Sequence, residues 1–221
     1  MPLITISRGI GSGGMVVARL VSEDLKVELF DDNRLHQEAG KMGIRAEEVK
    51  GLDEKAPVFF DHLLRSRSEI YLNYMEALIY EVAKKGEGVI IGHGSQLLLR
   101  DFECALHVHI YADDSTRIRN LMHQRRISQE AAKKLIHRSD HEQGGFFRFA
   151  FHMDWNNPSL YDLIINTGQI GLDLTAEIIM HAARSDRMKT CSLAAVGAME
   201  RLRLKKKTHA ALLDRGSIFL K

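Results

Sequence analysis

Residues 4–14 read Ile-Thr-Ile-Ser-Arg-Gly-Ile-Gly-Ser-Gly-Gly, and this stretch decides the fold. The β-branched run predicts a strand, the glycines predict a tight turn, and the apolar pattern that follows predicts a helix over Gly14–Leu25. The turn can aim backbone N–H groups into one concavity at the positive end of that helix. These amides belong to Gly11, Ser12, Gly13 and Gly14. The stretch therefore predicts a phosphate-binding loop.

Two chemical groups of the usual phosphate-loop signature are missing from this stretch. The signature G-x-x-x-x-G-K-S/T contains a lysine for the β- and γ-phosphates and a hydroxyl for magnesium. This chain has Gly14 and Met15 at those two positions. A plain tight turn gives the same glycine pattern, so the stretch alone leaves both readings open.

The composition indicates a folded protein with one domain, or one domain and an appendage. The chain has 221 residues, of which 45% are hydrophobic and 27% are charged. It contains no apolar run of membrane-spanning length and no basic-then-apolar leader, which favours a cytoplasmic protein. The spacing of Cys104 and Cys191 does not resemble a metal site, and we expect both to be reduced and structural.

The net charge of +2 is unevenly distributed along the chain. Residues 185–221 contain nine Lys or Arg and three Asp or Glu, whereas residues 1–184 are mildly acidic. We therefore expect a domain over 1–184 and a basic extension over 185–221.

Short apolar runs alternate with helix-length segments over the first 184 residues. The predicted strands are Leu3–Ser7, Val27–Phe30, Gly88–Gly92, Leu106–Ala112 and Tyr161–Asn166. The predicted helices include Gly14–Leu25, a long pattern from Leu63 to Val82, and Leu172–Ala183, and Asp32 is a candidate cap for another. This alternation predicts an α/β fold whose parallel sheet is covered by helices on both faces. Ligands of such sheets bind at the carboxyl ends of the strands.

Several short motifs stand in a fixed order along residues 1–183. They are Ile4-Thr-Ile-Ser-Arg8, Gly11-Ser-Gly-Gly14, Leu29-Phe-Asp31, Val89-Ile-Ile-Gly-His-Gly94, His109-Ile-Tyr-Ala112 with Arg117, Asp140, Phe146-Phe-Arg148, Asp154-Trp155 and Tyr161-Asp-Leu-Ile-Ile-Asn-Thr167. Together they resemble the cytidylate kinase-like family of P-loop nucleoside monophosphate kinases. The resemblance implies a three-layer α/β/α P-loop fold with five parallel strands. It also implies a nucleoside-monophosphate-binding insertion around residues 32–60 and a lid around residues 125–158.

The same resemblance implies a reaction and a set of site residues. The reaction is transfer of the γ-phosphoryl group of ATP, with Mg²⁺, to a pyrimidine nucleoside monophosphate, CMP by analogy. The loop Gly11–Gly14 would hold the ATP phosphates, and Arg8 would replace the missing lysine. The other implied catalytic cations are Arg117, Arg138 and Arg148. The implied substrate-binding residues are Asp31, His93 and Asp140. Ordinary solvated arginines, helix caps and ion pairs remain the alternative for these side chains.

Three positions depart from the family pattern by losing a positive charge. Met15, His93 and Gln143 stand where the family commonly has arginine. The loss leaves two hypotheses open, a weak kinase and a catalytically impaired protein that binds nucleotide as a sensor or regulatory module.

The extension carries an apolar stripe next to a basic cluster. Leu193, Val196, Met199 and Leu202 recur at helical spacing and precede Lys205–Lys207. The pattern predicts an amphipathic helix that docks on the body, on a second copy or on an anionic surface, and the first two are favoured. Nucleic acid is not expected as a partner. Ser217–Lys221 has the pattern of a strand, for a partner's sheet edge or the start of a further domain.

Overall fold

The computed structural model describes residues 3–44, 65–188 and 190–218, with a five-stranded parallel sheet at the centre. The strands are β1 (Leu3–Arg8), β2 (Leu29–Phe30), β3 (Gly88–Ile91), β4 (Ala105–Tyr111) and β5 (Leu163–Asn166). The helices are α1 (Gly14–Leu25), α2 (Asp32–Lys41), α3 (Arg65–Ala83), α4 (Ser95–Leu98), α5 (Asp114–Arg125), α6 (Gln129–Phe151), α7 (Thr167–Ile170), α8 (Leu172–Ala183) and α9 (Leu193–Ile218). The strand order is β2-β3-β1-β4-β5, so the loops after β1 and β4 are neighbours at one edge.

Helices cover both faces of the sheet because its strands are apolar on both faces. Ile4 and Ile6 of β1 are fully buried in the cluster that contains α1 and α8. Leu3 points the other way and shares a cluster with Met75 of α3 and Met199 of α9. Such two-sided burial is typical of parallel sheets. The expected three-layer α/β/α P-loop fold is confirmed.

Most predicted element boundaries that fall on described residues hold to within two residues, and α1 and α8 match at both ends. The predicted start of the long helix at Leu63 lies outside the described residues. The second strand is shorter than the predicted Val27–Phe30 because the amide of Val27 donates to Ser22 O at the end of α1. The predicted cap is also displaced by one residue. Asp31, rather than Asp32, caps α2, and its carboxylate accepts a hydrogen bond of 2.9 Å from the amide of Arg34.

The structure describes the whole of the predicted lid but only part of the predicted insertion. The predicted lid around residues 125–158 contains the long helix α6. The predicted insertion around residues 32–60 includes α2, but residues 45–60 lie outside the described part of the chain. No helix in the described part is both long and apolar enough to cross a bilayer.

The basic helix α9 packs on α3 of its own chain. Lys84, directly after α3, bonds Glu200 of α9 at 3.0 Å, and Arg203 of α9 bonds Glu81 of α3 at 3.1 Å. Lys206 also pairs with Glu76. The cations of α9 therefore neutralise acidic side chains of the body. The strand expected at Ser217–Lys221 is wrong for residues 217 and 218, which belong to α9, and residues 219–221 lie outside the described part.

The two cysteines form a disulfide, so the expectation of free thiols is wrong. Cys104 precedes β4 and Cys191 precedes α9, with a Cα–Cα distance of 5.0 Å. Their separation of 87 residues hides this proximity from the sequence. The bond anchors the start of α9 to the sheet.

His109 of β4 makes stability depend on pH. Its side chain is buried, and this desolvation lowers its pKa from 6.5 to about 4. The unfolded chain therefore takes up a proton at His109 between pH 6.5 and 4 that the folded chain does not. We therefore expect His109 to lower the free energy of unfolding by about 2 kcal/mol between pH 7.5 and pH 5.

Denaturant unfolding of the unmodified protein and His109→Phe at both pH values measures this loss. The phenyl ring keeps the packing and cannot be protonated, so His109→Phe should lose about 2 kcal/mol less than the unmodified protein between pH 7.5 and pH 5. Equal losses in the two proteins would show that His109 does not contribute.

Candidate active site

The loop after β1 adopts a shape that requires glycine. Gly11 and Gly13 each have a φ of +81°, in the left-handed region. A Cβ atom at Gly11 would lie 2.8 Å from the carbonyl oxygen of Arg117, and one at Gly13 would lie 2.4 Å from Cδ2 of Leu172. The backbone conformation therefore disfavours a side chain at both positions, and the carbonyl oxygen of Arg117 also excludes one at Gly11.

Backbone amides of this loop remain available to an anion. The amide and hydroxyl of Ser12 both donate to Gly9 O, at 3.2 Å and 2.8 Å. The amides of Gly11, Gly13 and Gly14 donate no hydrogen bond to any described residue. They lie where α1 begins, and a helix N-terminus attracts negative charge. The loop therefore has the geometry of an anion site.

Arg8 passes over the position that a lysine would occupy in the usual signature. A Cβ atom built on Gly14 would lie 2.6 Å from Cβ and 3.0 Å from Cγ of Arg8. The absence of a side chain at 14 therefore makes room for the Arg8 stem. This geometry supports the hypothesis that Arg8 replaces the lysine.

A cavity of about 510 Å³, which we call the phosphate-loop cavity, opens in front of these amides. The loop forms one wall, and residues of α2, α5 and α6 form the others. Its charged lining residues are Arg8, Asp32, Arg125 and Glu142. Arg125 has no ion-pair partner in the described part of the chain, whereas Glu142 accepts a hydrogen bond of 2.8 Å from Arg138. The cavity is large enough for a small-molecule ligand.

Gln143 brings an unused hydrogen-bond donor to the phosphate-loop cavity. The side chain lines the cavity and is 5% exposed. Its amide nitrogen Nε2 is buried and has no partner among the described residues. A buried donor without an acceptor is costly, and a bound phosphate oxygen would satisfy it.

Asp32 is one of the two carboxylates that line the phosphate-loop cavity. Its Oδ1 lies 2.9 Å from Nε2 of His93, and this hydrogen bond is the main cause that lowers the pKa of Asp32. The charge of Arg8 acts in the same direction. Asp32 is therefore ionised at neutral pH and faces the cavity that the loop opens into.

Two of the sequence candidates form an ion pair instead of pointing at the loop amides. Arg117 is 8% exposed and makes two hydrogen bonds to Asp140, of 2.8 Å and 2.6 Å. Its Nε also donates to Ile10 O at 2.7 Å. Arg117, Asp140 and Arg148 line a second cavity of about 460 Å³, which we call the Trp155 cavity.

The remaining candidates lie outside the lining of the phosphate-loop cavity. Arg138 is exposed and pairs with Glu142, Asp31 caps α2, and His93 is 2% exposed behind Asp32. His93 has a φ of +58°, which is uncommon for a residue with a side chain. The structure therefore brings Arg8 and Gly11–Gly14 together and places the other candidates around them.

Sequence reasoning did not single out Asp32, Arg125 and Gln143 as ligand contacts. Gln143 was visible as a departure from a family motif, and Asp32 directly follows the motif Leu29-Phe-Asp31. Their shared orientation depends on how α5 and α6 pack, which no local pattern reveals.

Comparison with known proteins gives a consistent family. Residues 3–169 match the model of the cytidylate kinase-like family. A cytidylate kinase from Archaeoglobus fulgidus is 28% identical over 195 residues, which cover 84% of this chain and 97% of that enzyme. A cytidylate kinase from Methanoregula boonei is 25% identical over 87% of this chain and 98% of its own length. A crystal structure of an uncharacterized protein from Eubacterium ventriosum has a TM-score of 0.64 at 20% identity and covers 84% of this chain and 99% of its own; it supports the fold.

Gly14→Ala tests the contact between residue 14 and Arg8. Because the new Cβ would displace the Arg8 stem, we expect the affinity for tripolyphosphate, measured by calorimetry, to fall about tenfold or more. Gly40→Ala in α2 is the matched control, since a Cβ there meets nothing within 4 Å. The control should bind like the unmodified protein. Equal affinities in all three proteins would contradict the contact's role in anion binding.

Proposed function

The chain belongs to the cytidylate kinase-like family, and we propose that it transfers the γ-phosphoryl group of MgATP to a pyrimidine nucleoside monophosphate. The observation that carries the proposal is the glycine loop, whose amides and Arg8 face one cavity. The relatives named cytidylate kinases support a pyrimidine acceptor, with CMP as the first substrate to test.

The donor side of the reaction would rely on the loop. Phosphoryl transfer needs in-line positioning and positive charge around the transferring group more than it needs covalent chemistry. The amides of Gly11, Gly13 and Gly14 would hold the β- and γ-phosphates, and Arg8 would supply the charge that lysine supplies elsewhere. The roles of these residues are part of the proposal.

The acceptor side would use the wall of the cavity opposite the loop. Arg125 brings a cation, and the unsatisfied Nε2 of Gln143 brings a neutral donor. Asp32 would orient the acceptor or a water molecule through its ionised carboxylate. Arg138 and Arg148, both on α6, would act only after that helix moves toward the substrate, as lids of such enzymes do. Arg117 of α5 would act on the loop that it holds through Ile10 O.

The residues present fit a magnesium ion that is carried mainly by the substrate. The described residues contain no group of three His, Cys, Asp or Glu side chains that could bind a metal. Mg²⁺ in kinases is bound by substrate phosphates, waters and one or two carboxylates. Asp32 is placed to supply such a carboxylate. When bound, the ion would neutralise charge on the transferring phosphates.

The second candidate function is nucleotide binding with little or no turnover. Gln143 is neutral where the family commonly has arginine, and His93 is buried away from the phosphate-loop cavity. Both observations lower the positive charge available to the transition state. They favour a slow kinase or a nucleotide sensor over an enzyme with an ordinary rate.

Location and assembly also remain proposals. We propose a cytoplasmic location, where the Cys104–Cys191 disulfide would need protection from reductants. A homodimer contact would use the outer face of α9, where Leu204 and Leu212 are 48% and 62% exposed.

A coupled ADP-release assay with Mg²⁺ and a panel of CMP, dCMP and UMP tests the activity. We expect turnover of CMP well below about 10 s⁻¹, an ordinary enzyme rate. ATP binding by calorimetry separates the candidates, because a sensor binds ATP without releasing ADP. A rate of about 10 s⁻¹ or more would contradict the weak-kinase argument, and absence of ATP binding would contradict both functions.

Arg8→Ala should weaken ATP binding or the rate by about 2 kcal/mol, or roughly 30-fold, because a charge-assisted contact is lost. The matched control is Arg19→Ala, which removes an exposed arginine of α1 that lies outside the cavity lining. The control should behave like the unmodified protein. Similar values for the two variants would show that Arg8 has no phosphate contact.

Gln143→Arg should raise CMP-dependent ADP release, because it returns a positive charge to the wall of the phosphate-loop cavity. We expect an increase of about tenfold or more, measured with the same coupled assay. His93→Arg is the informative contrast. His93 is buried and bonded to Asp32, so this change should lower thermal stability without raising the rate. A rate increase only in His93→Arg would contradict the assignment.

A further inference from the structure

The Trp155 cavity lies on the other side of α6 from the phosphate loop. Asp140, Gly144 and Arg148, spaced four residues apart, line the Trp155 cavity, whereas Glu142 and Gln143 line the phosphate-loop cavity. The volume of about 460 Å³ is in the range of small-molecule sites. Two faces of one helix therefore serve two separate cavities.

The Arg117–Asp140 ion pair helps to separate the two cavities. Both side chains line the Trp155 cavity and neither lines the phosphate-loop cavity. Gly9 is the one lining residue that the two cavities share. A ligand in the Trp155 cavity would therefore not occupy the place of the phosphates at the loop.

Aromatic rings line the Trp155 cavity, and Tyr111 is the most exposed of them. The ring centroid of His109 lies 5.4 Å from the ring centroid of Trp155 and 6.3 Å from that of Tyr111. The ring planes of His109 and Tyr111 are nearly parallel, with an interplanar angle of 9°. Trp155 is held through its carbonyl oxygen, which accepts a hydrogen bond of 2.6 Å from the Tyr161 hydroxyl. Tyr111 is 41% exposed at the end of β4. Flat rings of this kind stack on planar ligands.

Two polar groups of the Trp155 cavity lack partners within the described residues. Nδ1 of His109 is buried in a side chain that is only 6% exposed, and it has no hydrogen-bond partner there. The low pKa of His109 keeps the ring neutral, so it has both a donor and an acceptor nitrogen. Arg148 is exposed and has no ion pair in the described part of the chain. Unsatisfied buried polar atoms are uncommon and need an explanation.

We propose that the Trp155 cavity is a second ligand site that binds a nucleobase, presented as a nucleoside or as a nucleoside monophosphate. A base has a planar face for the aromatic rings and an edge with both donors and acceptors for Nδ1 of His109. Asp154 and Asn156 also line the cavity and would pair with amino and carbonyl groups on such an edge. Arg148 lies where a phosphate could be bound.

Ligand binding at this site does not require the proposed kinase activity, although Arg148 would serve a ligand here and, after movement of α6, the kinase substrate. Its groups are the aromatic rings, His109 and Arg148, and none of them lines the phosphate-loop cavity. A ligand in the Trp155 cavity would nevertheless affect the loop through Arg117, because this side chain bonds both Asp140 and Ile10 O.

Trp155 offers a direct readout because it is the only tryptophan of the chain. The experiment titrates the full chain with cytidine, adenosine, CMP and AMP, follows tryptophan fluorescence, and corrects for absorption with free N-acetyltryptophanamide. We expect saturable quenching by at least one of these ligands. If a nucleotide binds more tightly than its nucleoside, and Arg148→Gln removes this difference, the ligand of the cavity is a nucleoside monophosphate. If the two bind equally, the ligand is a nucleoside. Lys134→Gln, on an exposed part of α6 outside both cavities, is the matched control.

His109→Phe and Tyr111→Ala test the site itself. The first keeps an aromatic ring and removes Nδ1, and the second removes the 41% exposed ring of Tyr111. Each should raise the dissociation constant about tenfold, the cost of one lost hydrogen bond or stacking contact. Arg8→Ala should leave the titration unchanged. Absence of saturable quenching, unchanged affinity in both wall variants, or loss of quenching in Arg8→Ala would each overturn the proposal.

Discussion

The buried guanidinium of Arg117 is the interaction on which the shape of the site depends. A buried cation is stable only when it is paired and hydrogen-bonded. Arg117 meets this requirement with two bonds to Asp140 of α6 and one to Ile10 O of the phosphate loop. Because Arg117 itself belongs to α5, one side chain fixes the loop, α5 and α6 relative to one another. The backbone of the same residue also limits the space at Gly11.

The pairing of Arg117 limits which cations would be available to an anion in the phosphate-loop cavity. If Arg117 left Asp140 for a phosphate, a carboxylate would lose its partner in a partly buried place, which costs free energy. The charge at the phosphate-loop cavity therefore comes chiefly from Arg8 and Arg125, together with the loop amides. Asp32 and Glu142 offset part of it. This balance is consistent with anion binding and with modest stabilisation of a phosphoryl-transfer transition state.

The fold was largely predictable from the sequence because its signals are local. The boundaries of α1 and α8 follow from apolar periodicity and glycine, and the strands follow from β-branched runs. Long-range contacts were not predictable in this way. The Cys104–Cys191 bond joins residues 87 apart, and the strand pattern at Ser217 gave way to α9, which gains packing against α3.

The site was predictable at the loop and less so elsewhere, for a geometric reason. Family motifs assign roles by position, but neighbouring positions on a helix face different directions, about 100° apart per residue. On α6, Gln143 thus faces the phosphate-loop cavity while Asp140 and Arg148 face the Trp155 cavity. His93 could not be placed either, because its position depends on a positive φ between two glycines. The register of a helix against its neighbours is set by packing, and packing is visible only in three dimensions.

The glycine at position 14 acquires a different meaning once Arg8 is considered with it. In the sequence it looks like the loss of a lysine. In the structure, a Cβ atom at 14 would lie 2.6 Å from Cβ of Arg8, so a lysine at 14 and the present path of Arg8 exclude each other. The two positions therefore have to change together, and Arg8 with Gly14 forms one unit that delivers a cation from the strand side of the loop instead of from the helix side. A guanidinium delivered in this way can contact two phosphate oxygens at once, which an ammonium group cannot do with the same geometry.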